Sequence, residues 1–204
     1  MGQNIWKDGV FGLIVGDALG VPVEFSSREE CEHNPVIGMR AYGTHNQPVG
    51  TWSDDSSMTL ATLDSIKQKG KIDYKDIMDK FTEWCLYADY TPFQEVFDIG
   101  VATSRAIIQY GKGTDPIDCG GKTEWDNGNG SLMRILPVCL YLYNRQKMIC
   151  TSENESIYLI HNVSALTHAH LRSQIACGIY YFMVKSVLSR EEDLLAKLQW
   201  GIDA

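Results

Sequence analysis

Apolar residues recur at helical spacing through most of this chain, and no segment alternates apolar and polar residues as a half-buried strand does. Ile77, Phe81, Trp84 and Cys85 fall at i, i+4, i+7 and i+8, along one face of a helix. The spacing predicts an all-α, compact multi-helix fold. Helices are expected over 4–20, from Ser53 as N-cap to Gly70 as C-cap, from Asp73, and from about Pro92 to Tyr110. Others are expected from Ser131 to Leu142 with a kink at Pro137, and over roughly 153–166, 170–188 and 190–201. Ser189 and Glu192 suit a capping box for the last. Two stretches break the pattern, 21–52 with three prolines and three glycines, and 112–130. Long loops on a rigid scaffold are where sites concentrate.

The length of 204 residues suits one domain over 1–204. The longest apolar run, Ile135 to Tyr143, carries Pro137 and is well short of the ~18 residues a membrane span needs. Lys and Arg number 18 against 26 Asp and Glu, so the chain carries −8 and general nucleic-acid binding is disfavoured. Residues 1–55 hold eight acids against three bases, −5 of the −8, which fits either a cation site or a solvated acidic face. The six cysteines show no CxxC spacing, and the N-terminus lacks the apolar core of a signal peptide. A reduced, cytoplasmic protein is expected, with neither a disulfide framework nor a zinc site.

Five features carry possible chemistry. In Trp52-Ser53-Asp54-Asp55-Ser56-Ser57, two carboxylates stand in the first turn of a helix. They complement the helix dipole, and they also offer the hard oxygen donors that Mg²⁺ or Mn²⁺ prefers. Asp126-Asn127-Gly128-Asn129-Gly130-Ser131 is a glycine-rich loop read as opening a helix, which suits either an anion site or a tight turn. It matches neither a dinucleotide fingerprint nor a Walker loop. His168, in Thr167-His168-Ala169-His170, either faces a ligand or is satisfied by capping. Glu24 falls where a glycine-rich helix gives way to a loop, a place for a general acid or base. Gly9, Gly12, Gly16 and Gly20 lie on one helical stripe. Each costs about 1 kcal/mol relative to alanine, so another backbone packing close, or a ligand, is expected there.

In their order along the chain, GDALG with the following Glu24, WSDDSSM, FDIG, GNGSLMR and THAH resemble the ADP-ribosylglycohydrolase family over roughly residues 9–178. The resemblance implies an all-α fold and hydrolysis of the bond between ADP-ribose and a modified protein or small molecule. It implies a site for two Mg²⁺ (or Mn²⁺) ions, with Ser53, Asp54 and Asp55 as its N-terminal half. It further implies Glu24 as a loop glutamate that gates the site and Asp98 as an aspartate near the scissile bond. The Gly128, Asn129, Gly130 and Ser131 loop, with Met133, would cradle the phosphates and proximal ribose, and His168 would lie near the ribose. Asp17 fits the pattern with a structural role.

The family completes its metal site with an acidic Asp-x-Asp-Thr/Ser motif in a glycine-rich stretch, and nothing of that kind follows Arg172. A C-terminally truncated or shortened member is therefore expected, holding at most one metal ion, weakly, and lacking glycohydrolase activity alone. An inert ADP-ribose-binding or structural, crystallin-like member is the alternative. Apolar surface around Ile175, Ile179, Phe182 and Leu198 is expected to favour self-association.

Overall fold

The computed structural model describes residues 4–149, 152–189 and 193–204. Among them are nine α-helices: α1 (Ile5–Gly20), α2 (Arg28–His33), α3 (Asp54–Lys69), α4 (Tyr74–Tyr87), α5 (Val101–Gly111), α6 (Leu136–Ile149), α7 (Glu153–Ala165), α8 (Leu171–Ser189) and α9 (Leu194–Asp203). No strand occurs among the described residues, only isolated bridges Tyr42–Gln47 and Gly121–His168. The fold is all-α, as the periodicity predicts.

Helix ends follow local chemistry. Ser53 caps α3 and accepts the Asp55 amide, and Gly70 closes the helix with φ +66°. Asp73 caps α4 by accepting the Asp76 amide at 3.1 Å. Side-chain oxygens at such positions satisfy amides that have no partner inside the helix. Asp193 caps α9. The expected Ser189–Glu192 capping box rests on Glu192, outside the described residues.

Three expectations are corrected. First, α5 begins at Val101, not near Pro92. Ala88, Tyr90, Gln94 and Asp98 all carry positive φ, so no right-handed helix can run through this segment. The Trp52 indole pins it instead, donating to the Tyr90 carbonyl at 3.0 Å. Second, α6 begins at Leu136, and Ser131–Arg134 are turn. Pro137 is therefore in the first turn, where its missing N–H costs nothing, and it does not kink a helix interior. Third, the glycine stripe of α1 is not a tight helix seam. Gly9 meets only Leu136 and Leu140 side chains, at an ordinary 3.7 Å from a built Cβ, and Gly12, Gly16 and Gly20 face open space.

The core gathers Met58 and Ala61 of α3, Ile77, Phe81 and Trp84 of α4, Val138 and Leu142 of α6, Ile160 and Val163 of α7, and Cys177 and Tyr181 of α8. Removing a side chain such as Phe81 from this core would cost roughly 3–5 kcal/mol. Helix α3 packs on α1, α4 and α6, which holds its N-terminus rigidly beside α1. Gly201 lets α9 lie close on α8, since a Cβ there would stand 2.5 Å from Met183 Cα. Phe182 and Leu198 are half-buried in that region, while Ile175 and Ile179 remain exposed.

Candidate functional site

Asp17 of α1 organises the N-terminus of α3. Its carboxylate accepts the Ser53 amide at 3.0 Å, the Ser53 hydroxyl at 2.8 Å, the Ser56 amide at 3.1 Å and the Ser56 hydroxyl at 2.6 Å. Asp17 thus takes a structural place, and it leaves Asp54 and Asp55 in the first turn of α3 facing a cleft. Burial and the neighbouring Asp55, Asp98, Asp17 and Glu24 charges push the Asp54 carboxyl up to about 8. Burial and the same neighbours, Asp17, Asp98 and Glu24, push Asp55 up to about 7. Like charges this close raise one another's proton affinity unless a cation offsets them. The Ser53 hydroxyl is already engaged, donating to Asp17 and accepting from the Asp55 amide.

Glu24 stands just after the turn Val21–Val23, where α1 ends. His45 Nε2 lies 2.5 Å from Glu24 Oε2, and the Thr44 hydroxyl donates to the Glu24 carbonyl at 2.6 Å. The same His45 nitrogen is 4.0 Å from Asp98 Oδ2. Asp98 has φ +59°, a conformation that Asp tolerates better than most residues. Burial, a hydrogen bond with Glu24 and the Glu24 charge push its carboxyl up to about 6, against the opposing pull of His45. Ligand atoms of Glu24, His45 and Asp98 all fall within 4.8 Å of one another.

The opposite wall is the Gly128–Gly130 loop with Met133 and His168. A Cβ on Gly130 would lie 2.7 Å from His168 Cε1, whereas one on Gly128 would meet only Nε2, at 3.6 Å. Glycine at 130 is therefore a steric requirement of the His168 ring. Ser131 does not reach the cleft. It is buried behind it, with its hydroxyl 2.9 Å from Ser164 Oγ. Because α6 begins five residues later, the loop does not itself form a helix N-terminus, and that basis for anion binding is lost.

These two walls enclose one open cavity of about 730 Å³. That is the size of a small-molecule cleft. Glu24, Ser53, Asp54, Asp55, Asp98, Gly128, Asn129, Gly130, Met133 and His168 all line it, and no Lys or Arg does among the described residues. Gly16 and Gly20 also line it, which accounts for their lack of side chains better than helix packing does. His45, Thr103 and Trp125 are site features that no motif marks. The Thr103 hydroxyl is buried without a partner, and Trp125 stands at the rim, 87% exposed. The only sequence signal for His45 is its place in the long 21–52 loop.

The oxygen donors of this wall fit a hard divalent cation. Asp54 is buried and Asp55 half-buried, both crowded by like charge with no lysine or arginine in the cleft to offset it.

A family model described as ADP-ribosylglycohydrolase matches residues 6–204. The chain is 30% identical over 165 residues to the ADP-ribosylarginine hydrolase Tri1 of Pseudomonas putida (strain GB-1), covering 79% of this chain and 41% of that protein. It is 34% identical over 141 residues to the ADP-ribosyl-dinitrogen reductase glycohydrolase of Rhodospirillum rubrum, covering 63% and 42%. A solved structure of an ADP-ribosylglycohydrolase-related protein complex superposes with a TM-score of 0.70 and 31% identity, over 95% of this chain and 60% of that one. The chain spans about half the length of the curated relatives it matches.

Proposed function

The chain belongs to the ADP-ribosylglycohydrolase family, and from that premise we propose that its cleft holds an ADP-ribosyl group and serves hydrolysis of the glycosidic bond to its carrier. One observation carries the reading. A wall of carboxylates (Glu24, Asp54, Asp55, Asp98) faces a glycine loop and a buried histidine across a single cavity of nucleotide-sugar size. The names of the relatives, an ADP-ribosylarginine hydrolase and a dinitrogen reductase glycohydrolase, support an ADP-ribosylated protein as the carrier.

In this reading Asp54 and Asp55, with the Ser53 oxygen beside them, would hold Mg²⁺ or Mn²⁺. Such an ion, when bound, polarises sugar hydroxyls and water. The protein's own groups do the rest. The Gly128–Gly130 loop and Met133 orient the nucleotide, and His168 lies against the loop. Glu24, bonded to His45, takes the proton of the attacking water as a C–O bond forms at the anomeric carbon. The bond to the carrier's nitrogen or oxygen breaks, and the leaving group takes up a proton from the Glu24–Asp98 pair. The reading includes a reducing, cytoplasmic setting, supported by the free thiols of Cys31, Cys85, Cys119, Cys139 and Cys177. No helix among the described residues is long and apolar enough to cross a membrane. It also includes self-association, supported by the exposed Ile175 and Ile179 on α8.

The deciding experiment is chromatography of ADP-ribosyl-arginine incubated with the chain and Mg²⁺ or Mn²⁺, alongside calorimetric titration with ADP-ribose. Release of ADP-ribose is the outcome this reading requires, and it would overturn the inactivity read from the missing acidic motif. Binding without release would assign the chain to recognition alone, and neither binding nor release would overturn the reading.

A further inference from the structure

Arg134 is wholly buried, and it makes no ion pair among the described residues. Its guanidinium stands over the Phe81 ring at 4.7 Å, and burial lowers its pKa only to about 10, so it stays charged at neutral pH. Nε and Nη1 have no partner. A buried, unpaired charge is costly to keep. What Arg134 does donate is directed: Nη2 reaches the Val163 carbonyl at 3.2 Å and the Thr167 hydroxyl at 2.9 Å.

The Thr167 hydroxyl has one proton to give. Having accepted from Arg134, it lies 2.8 Å from His168 Nδ1, its one other partner among the described residues. Donated to Nδ1, its proton is paired; an Nδ1–H pointing back at Thr167 would leave that buried hydroxyl proton with no acceptor, so the arrangement favours Nδ1 as the acceptor nitrogen of the ring. A neutral imidazole with an accepting Nδ1 carries its proton on Nε2. Nε2 is the nitrogen turned to the Gly128–Gly130 loop and the cleft. The Arg134 charge also opposes a second proton: burial first, and then Arg134, hold His168 down to about 4.

We infer that Arg134, acting through Thr167, is a positioning residue that locks His168 as the neutral Nε2–H tautomer, so that His168 donates a hydrogen bond into the cleft and is not a general base. The ligand group it takes is an acceptor oxygen, of a sugar or a phosphate. The identity of that ligand rests on the ADP-ribosyl reading above, but the tautomer does not.

Long-range ¹H–¹⁵N spectra of the ¹⁵N-histidine-labelled chain read the tautomer directly. The expected His168 pattern is Nε2–H in the wild type and in Thr167→Ser, and a mixture of both tautomers in Thr167→Val. ADP-ribose affinity should fall about tenfold in Thr167→Val and recover in Thr167→Ser. Arg134→Met should also mix the tautomers; should that variant fail to fold, the Thr167 pair still decides. An Nδ1–H ring in the wild type, or an Nε2–H pattern unchanged in Thr167→Val, would overturn the relay, and unchanged affinity in Thr167→Val would overturn the donor role. A chain that shows the expected tautomers but binds no ADP-ribose would uphold the relay while removing the ADP-ribosyl reading.

Discussion

His45 Nε2 bonds to Glu24 Oε2 at 2.5 Å across 21 residues of loop, and Asp98 stands 4.0 Å from the same nitrogen. The imidazole is the group that lets two carboxylates share one corner of the cleft. Glu24→Gln keeps the shape and removes the charge, so it should lower kcat on ADP-ribosyl-arginine by roughly 10²–10⁴-fold. His45→Ala should lower it too, with a smaller loss, since Glu24 itself remains. Steady-state kinetics of both variants would check the order, and a His45→Ala variant more impaired than Glu24→Gln would contradict it.

Asp54→Asn should raise the melting temperature in the presence of chelator. The substitution replaces a carboxyl that burial and its acidic neighbours make costly to ionise, and it keeps the side-chain volume. A gain of about 1–2 kcal/mol would appear as roughly 2–8 °C in a chain of this size. The same variant should lose the further stabilisation that added Mg²⁺ or Mn²⁺ gives the wild type, because a ligand stabilises only a state that binds it. Thermal melts with chelator and with metal test both halves.

Acid should destabilise the fold through His168. Burial holds its folded pKa at about 4, below the ordinary 6.5, so between these values the unfolded chain binds the extra proton. The stability present above pH 6.5 is therefore lost as pH falls, by roughly 2 kcal/mol at pH 5 and 3 kcal/mol near pH 4. Urea titrations across this range should show a shallower acid limb in His168→Gln than in the wild type.

Gly130→Ala and Gly128→Ala should part company. At 130 the new methyl meets the His168 ring at 2.7 Å and must displace it, while at 128 it makes an ordinary 3.6 Å contact. ADP-ribose affinity should drop more than tenfold for the first, about 1.4 kcal/mol or more, and by less than threefold for the second. Calorimetry on the two folded variants checks the contrast.

Much of this architecture is legible in the sequence where a residue's chemistry allows one local outcome. Ser53, Gly70 and Asp73 mark helix ends because their side chains or free φ serve only there. Asp54, Asp55, Gly130 and His168 announce themselves by motif, and the structure brings them to one cleft. Legibility fails where tertiary contacts impose a conformation against preference. Gln94 gives no sign that it adopts positive φ, so the segment from Pro92 to the start of α5 reads as helix. Pro137 reads as a kink because the helix is taken to start at Ser131; the turn at Ser131–Arg134 moves the start to Leu136 and puts the proline in the first turn. His45 stands in no motif of the 21–52 loop, which also holds His33, and only the folded path of that loop lays it on Glu24.

That path carries one more consequence. Gly43, at φ +65°, is pressed so tightly beneath Pro22 that a Cβ would stand 2.0 Å from the proline carbonyl oxygen, and the next two residues, Thr44 and His45, clasp Glu24 from both its backbone and its carboxylate. The beginning and the end of this excursion are thus riveted into a single plate. Any swing that carries Glu24 away from α3 carries His45 with it, so these two enter or leave the cleft as one part, while Asp98 belongs to the separate segment that leads into α5.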